Sequence, residues 1–189
     1  MNEMSDPANV DELFNLYDLL GDKSYGESIT QNEHALQCGA LARDAGATSA
    51  MIVAALFHDV GHLTVDVQGD SGFDLASADD DHEARGARIL APLFGPRVAQ
   101  PVALHVTAKR WRCTREPEYL DQLSRASQAT LVAQGGLLSD EECQRFEQHP
   151  GFDDALALRT WDDTGKVEGL HVGVLRDWEE LVRSQAATP

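Results

Sequence analysis

Ala54-Ala55-Leu56-Phe57-His58-Asp59-Val60-Gly61-His62 closes the longest plainly apolar run of the chain, Ala50 to Phe57, with a histidine–aspartate pair. Neighbouring residues in mid-helix point about 100° apart. His58 and Asp59 can therefore converge on one point only where a helix ends, and Gly61 marks that end. A neutral imidazole nitrogen and a carboxylate oxygen together suit iron, manganese, zinc or nickel. A lone pair of this kind is more often a capped helix terminus, so its meaning rests on what the rest of the chain supplies.

On either side of this stretch the sequence reads as helices. Asp6 with Pro7 opens a first helix carrying Val10, Leu13, Phe14, Tyr17 and Leu20 at helical spacing, and Gly21 stops it. Thr30-Gln31-Asn32-Glu33 is a capping box for a second helix running to about Ala45. Thr48 or Ser49 opens the third, which runs through Met51, Val53, Leu56 and Phe57 to Gly61. From Leu63 to Asp81 the pattern breaks: six aspartates (66, 70, 74, 79, 80 and 81), no Lys or Arg, and glycines at 69 and 72. A loop that long in a small domain is often functional. A short strand pair within residues 63–75 is the one place where strands are admitted. Helices resume near His82 to Leu93 and again after Gly95-Pro96, with Pro101 a candidate to shift that start. Further helices are expected at Ser124 to Ala133, Asp140 to Glu147, Asp153 to Asp163 and Val172 to Ser184. The expected fold is all-α, a single domain over residues 1–189 with its core at about 10–180.

With 189 residues, 42% of them hydrophobic, the chain can bury a real core. Lys plus Arg number 15 against 32 Asp plus Glu, a net charge of −17. That balance excludes a sequence-independent grip on nucleic acid and docking on anionic membranes. It leaves room for a small anion in a locally basic pocket. Three cysteines without CxxC spacing fit a reducing compartment. The N-terminal residues have no basic start and no apolar run, and a cytoplasmic location is expected.

Other metal-binding residue types lie along the chain at His34, His82, His105 and Asp162. Each alone is more often a hydrogen-bonded core group or a cap. Together with His58-Asp59 they follow the order His, His-Asp, His, His, Asp. This order resembles the dinuclear branch of the HD-domain superfamily, helical metal-binding cores that are mostly phosphohydrolases. Gln31-Asn32-Glu33-His34-Ala35-Leu36-Gln37, the stretch around His58, Leu104-His105-Val106-Thr107-Ala108-Lys109-Arg110 and Leu158-Arg159-Thr160-Trp161-Asp162-Asp163 resemble the mixed-valent diiron oxygenases of 2-amino-1-hydroxyethylphosphonate and its N-trimethylated analogue.

The resemblance implies an HD-domain helical bundle, two iron ions in the Fe(II)/Fe(III) state and O2 as co-substrate. It implies cleavage of a C–P bond to phosphate and glycine or glycine betaine. One metal would take His34, Asp59 and Asp162; the other would take His58, His82 and His105, with Asp59 bridging. Asp163 is the fallback for Asp162. Around the metals, His62, Lys109, Ser127, Thr130 and Arg159 would bind the phosphonate. Tyr25 and Glu27 would cover the site, although Tyr25 stands one residue closer to the following Gly-Glu pair than the family pattern has it. The bland readings are a surface lysine, a surface salt bridge for Arg159, and a polar helix face for Ser127 and Thr130. The same ligand set also suits a dimetal phosphohydrolase acting on a phosphate ester or nucleotide, which is the alternative. The preferred amine and the oligomeric state are not legible in the sequence.

Overall fold

The computed structural model describes residues 6–23, 28–65 and 81–187, and among them the chain is all-α with no strand of a sheet. The helices are α1 Val10–Leu20, α2 Gln31–Asp44, α3 Ser49–Phe57, α4 Val60–Val65, α5 His82–Phe94 and α6 Pro96–Arg115. There follow α7 Tyr119–Gln122, α8 Arg125–Ala133, α9 Asp140–Glu147, α10 Phe152–Thr164, a 3-10 turn Leu175–Trp178 and α11 Glu179–Ser184. None of them is long and apolar enough to cross a membrane.

α3 sits at the centre because its sequence leaves it no solvent face. Every residue from Ala50 to Phe57 is buried, and a helix apolar all round must be enclosed by others. α2, α6, α10 and α11 pack around it. Phe57 at its end meets Phe14 and Tyr17 edge-on, at ring-centroid distances of 6.1 and 5.3 Å, and stacks on Phe94 at 6.4 Å. Each such buried aromatic is worth about 1.5–3 kcal/mol of transfer free energy, so the end of α3 is among the best-anchored points in the fold. α5 and α6 pack against each other across Gly95, whose φ of 76° lets the chain turn back within one residue. A smaller cluster of Cys113, Tyr119, Leu123 and Leu131 fixes α7 and α8 to the end of α6. Ala108, Phe146 and Ala155 seat α9 between α6 and α10.

Several boundaries differ from expectation. Asn9, not Asp6, caps α1, its side chain accepting from Glu12 N at 3.0 Å. The third helix stops at Phe57 instead of running to Gly61, and α4 restarts at Val60. Residues 63–65 are thus helical, not loop or strand, and the remainder of the acidic stretch, 66–80, lies outside the described residues. Pro101 lies inside α6 without shifting its start, which stays at Pro96. Val172 to Ser184 is not one helix but an extended lead-in, a 3-10 turn and a short α-helix. The capping boxes of Thr30 and Ser139 are both formed.

Gly61 explains how α4 can lie against α5. A Cβ at this position would stand 2.0 Å from the carbonyl oxygen of His82. No rotamer change relieves a clash with main chain, so one helix would have to move. Gly61→Ala should therefore lose roughly 1–3 kcal/mol or more of stability, the usual range for overpacking. Gly86→Ala, where the nearest atom is His58 O at 3.3 Å, should lose less. Urea midpoints of the two variants check this ordering.

Candidate metal centre

Four helices and one interhelical break bring six side chains to one point. His34 lies in the first turns of α2, His82 is the first residue of α5, His105 is in mid-α6 and Asp162 is near the end of α10. His58 and Asp59 occupy the two-residue break between α3 and α4. That break removes the angular conflict between adjacent helical side chains. All six are buried.

Asp59 stands in the middle with its two oxygens facing different partners. Oδ2 is 3.5 Å from His34 Nε2 and 3.4 Å from His58 Nε2. Oδ1 is 3.7 Å from His82 Nε2 and 3.8 Å from His105 Nε2. Asp162 Oδ1 joins the first group, 3.4 Å from His34 Nε2 and 3.9 Å from His58 Nε2. In the second group His82 Nε2 and His105 Nε2 are 3.1 Å apart. Metal–donor bonds of about 2.1 Å put neighbouring donors roughly 3–3.5 Å apart, so these separations are close to those of ligands sharing an ion. One expectation changes: His58 lies on the side of His34 and Asp162, not with His82 and His105.

The tautomers sharpen the picture. His34 Nδ1 is 2.9 Å from Gly165 O, His58 Nδ1 2.9 Å from Ala55 O and His105 Nδ1 2.7 Å from Val102 O. A carbonyl can only accept, so each Nδ1 carries the proton and donates it. Each Nε2 of a neutral ring then turns a lone pair toward the carboxylates. His58 also satisfies one of the orphan carbonyls at the end of its own helix. Acceptors facing acceptors repel unless a cation lies between them. His58 Nε2 and both oxygens of Asp59 are buried without a hydrogen bond among the described residues. A buried carboxylate left so costs several kcal/mol, and a metal removes that cost. The residues present therefore fit a dinuclear metal centre, with backbone carbonyls orienting the rings from behind.

Titration behaviour agrees. Burial pushes the His58 imidazole down, but Asp59 and Asp162 outweigh it and raise its pKa to about 9. A proton thus stands in where a cation belongs. Asp59 is held far below the usual carboxylate range: burial opposes this, and His58 and His62 prevail. His105 is driven down by burial and by His82 and His58.

A polar shell surrounds Asp162. Arg159 Nη1 lies 2.7 Å from Asp162 Oδ2, its Nε donates to Tyr119 Oη at 3.0 Å, and its Nη2 pairs with Asp163. Tyr119 Oη donates in turn to Asp163. Asp163, the fallback ligand with a solvent-facing alternative reading, is instead held in this network. Lys109, four residues after His105 as expected, is buried at 2% exposure and donates to Thr130 Oγ1 at 2.8 Å and Gln134 Oε1 at 2.9 Å. Burial first, and Arg159 second, lower its pKa to about 7. Ser127 is buried in the same quarter, 3.4 Å from Lys166 Nζ. His62 stacks on His82, with ring centroids 4.0 Å apart, and its donor atoms lie within 4.8 Å of those of Asp59 and His82. Tyr25 and Glu27 lie outside the described residues.

Sequence reasoning missed Cys38, Lys166 and Tyr119. Cys38 follows His34 by four residues, on the same helix face, and with His34 and His58 forms a second group of donors within 4.8 Å. Burial, with Asp162 and Asp59 nearby, raises its thiol pKa well above the ordinary value. The protonated thiol donates to Trp161 O at 3.4 Å. Spacing alone offered signals for Cys38 and for Lys166, four residues after Asp162. Nothing local marked Tyr119.

Metal analysis should find two ions per wild-type chain, and Asp59→Ala should drop below that. An Asp59→Ala protein that still loads two would remove the bridging assignment. Metal uptake at about pH 7.5 should release a proton, because His58 holds one up to about pH 9. Affinity should then rise with pH toward that value, which calorimetry in buffers of different ionisation enthalpy can read. The sign for stability is opposite. The protonated His58 stabilises the metal-free fold fully below the unfolded value of about 6.5, and that contribution fades as pH rises through about 9.

Comparison with known proteins agrees with this geometry. The HD-domain family model matches residues 32–134, a span that holds His34, His58, Asp59, His82 and His105. The chain is 46% identical over 175 residues to hydroxymethylphosphonate dioxygenase of Gimesia maris, covering 93% of this chain and 87% of that protein. It is 38% identical over 162 residues to [1-hydroxy-2-(trimethylamino)ethyl]phosphonate dioxygenase (glycine-betaine-forming) of Leisingera caerulea, covering 83% and 80%. An uncharacterized protein of Acanthamoeba polyphaga mimivirus is 37% identical over 176 residues, covering 92% and 80%. The chain belongs to the HD-domain family and is closely related to its phosphonate-oxygenase members.

Proposed function

We propose that this protein is a diiron oxygenase that cleaves the C–P bond of a 1-hydroxyphosphonate. The observation that carries the reading is the single buried carboxylate, Asp59, facing two sets of histidine lone pairs beside a wall of ammonium and hydroxyl groups. Six ligands are assigned to the metals: His34, His58 and Asp162 to one, His82 and His105 to the other, and Asp59 to both. Two irons held there would supply an electron source for O2 and a Lewis acid for the substrate hydroxyl.

The reaction balances without a further reductant. A 1-hydroxyphosphonate and one O2 give one carboxylate, one phosphate and a proton. Hydroxymethylphosphonate would give formate, the 2-amino-1-hydroxyethyl compound glycine, and its trimethylated analogue glycine betaine. The two named relatives support the substrate class, and their substrates differ in what C1 carries, a hydrogen in one and a trimethylammoniomethyl group in the other.

The protein's own groups bind and orient the anion. Lys109 offers an ammonium and Thr130 a hydroxyl already in contact with it. Ser127 adds a second hydroxyl one turn away on α8. An arriving dianion restores the charge that burial has made labile on Lys109. Arg159 contacts Asp162, Asp163 and Tyr119, so beside the phosphonate contact expected of it, it would brace a metal ligand. His62 stacks on His82 beside Asp59 and would donate to the bound anion.

The deciding experiment follows O2 uptake and phosphate release from iron-loaded, partly reduced protein with the three hydroxyphosphonates. O2-dependent phosphate release establishes the reaction, and the relative kcat/KM values rank the substituents. Phosphate-ester hydrolysis without O2 uptake would replace it with phosphohydrolase activity. For an active oxygenase, kcat/KM should fall as pH rises through about 7, where free Lys109 loses its proton. Lys109→Met should raise KM and remove that limb of the profile.

A further inference from the structure

Gln37 lies on α2 three residues after His34, on the same helix face, and is 2% exposed. Its amide grips the main chain beyond α10. Oε1 accepts from Val167 N at 2.9 Å, and Nε2 donates to Val167 O at 2.9 Å and to Leu170 O at 3.3 Å. Residues 165–170 have no helix to hold them. Apolar packing does not hold them either, since Val167 is 51% and Leu170 45% exposed. An amide paired with both the N–H and the C=O of one residue does for this segment what a neighbouring strand does for a strand.

The tethered segment carries two groups that face the metal centre. Gly165 O receives the Nδ1 proton of His34 at 2.9 Å and so turns Nε2 of that ring inward. Lys166 Nζ lies 3.4 Å from Asp162 Oδ1 and 3.4 Å from Ser127 Oγ, between a ligand oxygen and the anion-binding wall.

We infer that Gln37 is a positioning residue for the centre. By fixing Val167 it sets the carbonyl that orients His34 and the ammonium that offsets Asp162. A buried amide spent on exposed residues has no comparable return in core packing. This rests on the reading that the six ligands hold metal, and it does not need the phosphonate chemistry.

The test compares iron retention with fold stability. Wild type, Gln37→Met and Gln37→Asn are loaded anaerobically with Fe(II), and the rate at which a ferrous chelator strips the metal is followed. Melting of each metal-free protein is measured in parallel. Met keeps the length without hydrogen bonds, and Asn keeps the amide but falls short of Val167. Both should lose iron about 10–100-fold faster than wild type, the usual effect of an outer-shell partner. Stripping at the wild-type rate in both Gln37 variants, whatever their melting temperatures, would overturn the proposal and leave Gln37 a structural tether. If Gln37→Met does not fold, Gln37→Asn decides alone. Failure of the phosphonate reading is separate: wild type would consume no O2, and the stripping rates would still be ordered.

Discussion

Two carboxylate oxygens sealed from water, without a hydrogen bond among the described residues, set the terms for this molecule. Asp59 cannot be stable there as a bare anion. In the metal-free protein the His58 proton offsets it, and in the loaded protein metal ions would take that place. The remaining architecture serves to keep those oxygens where they are. α3 is enclosed on every side and delivers its last residue to a fixed point. Backbone carbonyls from three elements lock the facing rings in one tautomer. Arg159 braces the second carboxylate at Oδ2, while Lys166 reaches Oδ1, the oxygen that also faces His34 and His58.

The local field at this site is unlike that of the whole chain. A net charge of −17 describes a surface that keeps proteins apart and repels polyanions. Inside, Lys109, Arg159 and Lys166 gather on one flank of the ligands, with Ser127 and Thr130 among them. Burial makes these cations count for more than the many exposed aspartates, which water and salt screen. An acidic protein can therefore present a basic pocket to a small dianion.

Much of this was legible in the sequence for local reasons. The capping boxes at Thr30 and Ser139 fix helix starts by contacts within four residues. The apolar run before His58 requires a buried helix whatever surrounds it. The ligand types announced themselves because histidine and aspartate are rare in such surroundings without a partner. What escaped was set at long range or by main chain. The stop at Phe57 depends on how α4 packs against α5 through Gly61, and a glycine four residues on looked the more natural end. The side on which His58 lies depends on the direction of a ring turned by Ala55 O. Arg159 and Asp163 stand four apart on α10, but their shared engagement with Tyr119 of α7 follows from no spacing rule. Cys38 and Gln37 share the face of His34, but only the arrival of residues 161–170 gives that face its meaning.

That arrival has a consequence for how the protein comes into being. His34 meets Gly165 across 131 positions, and Gln37 meets Val167 across 130. Contacts between such distant points form late, because a long loop must close before they give any return. While the chain emerges from the ribosome, α2 to α6 can assemble with five of the six ligands in place. The first ion position then has an open side where Asp162 and its cationic support belong. The site closes only when α10 and residues 165–170 arrive, so the C-terminal third of the fold completes a cage whose other walls are already built.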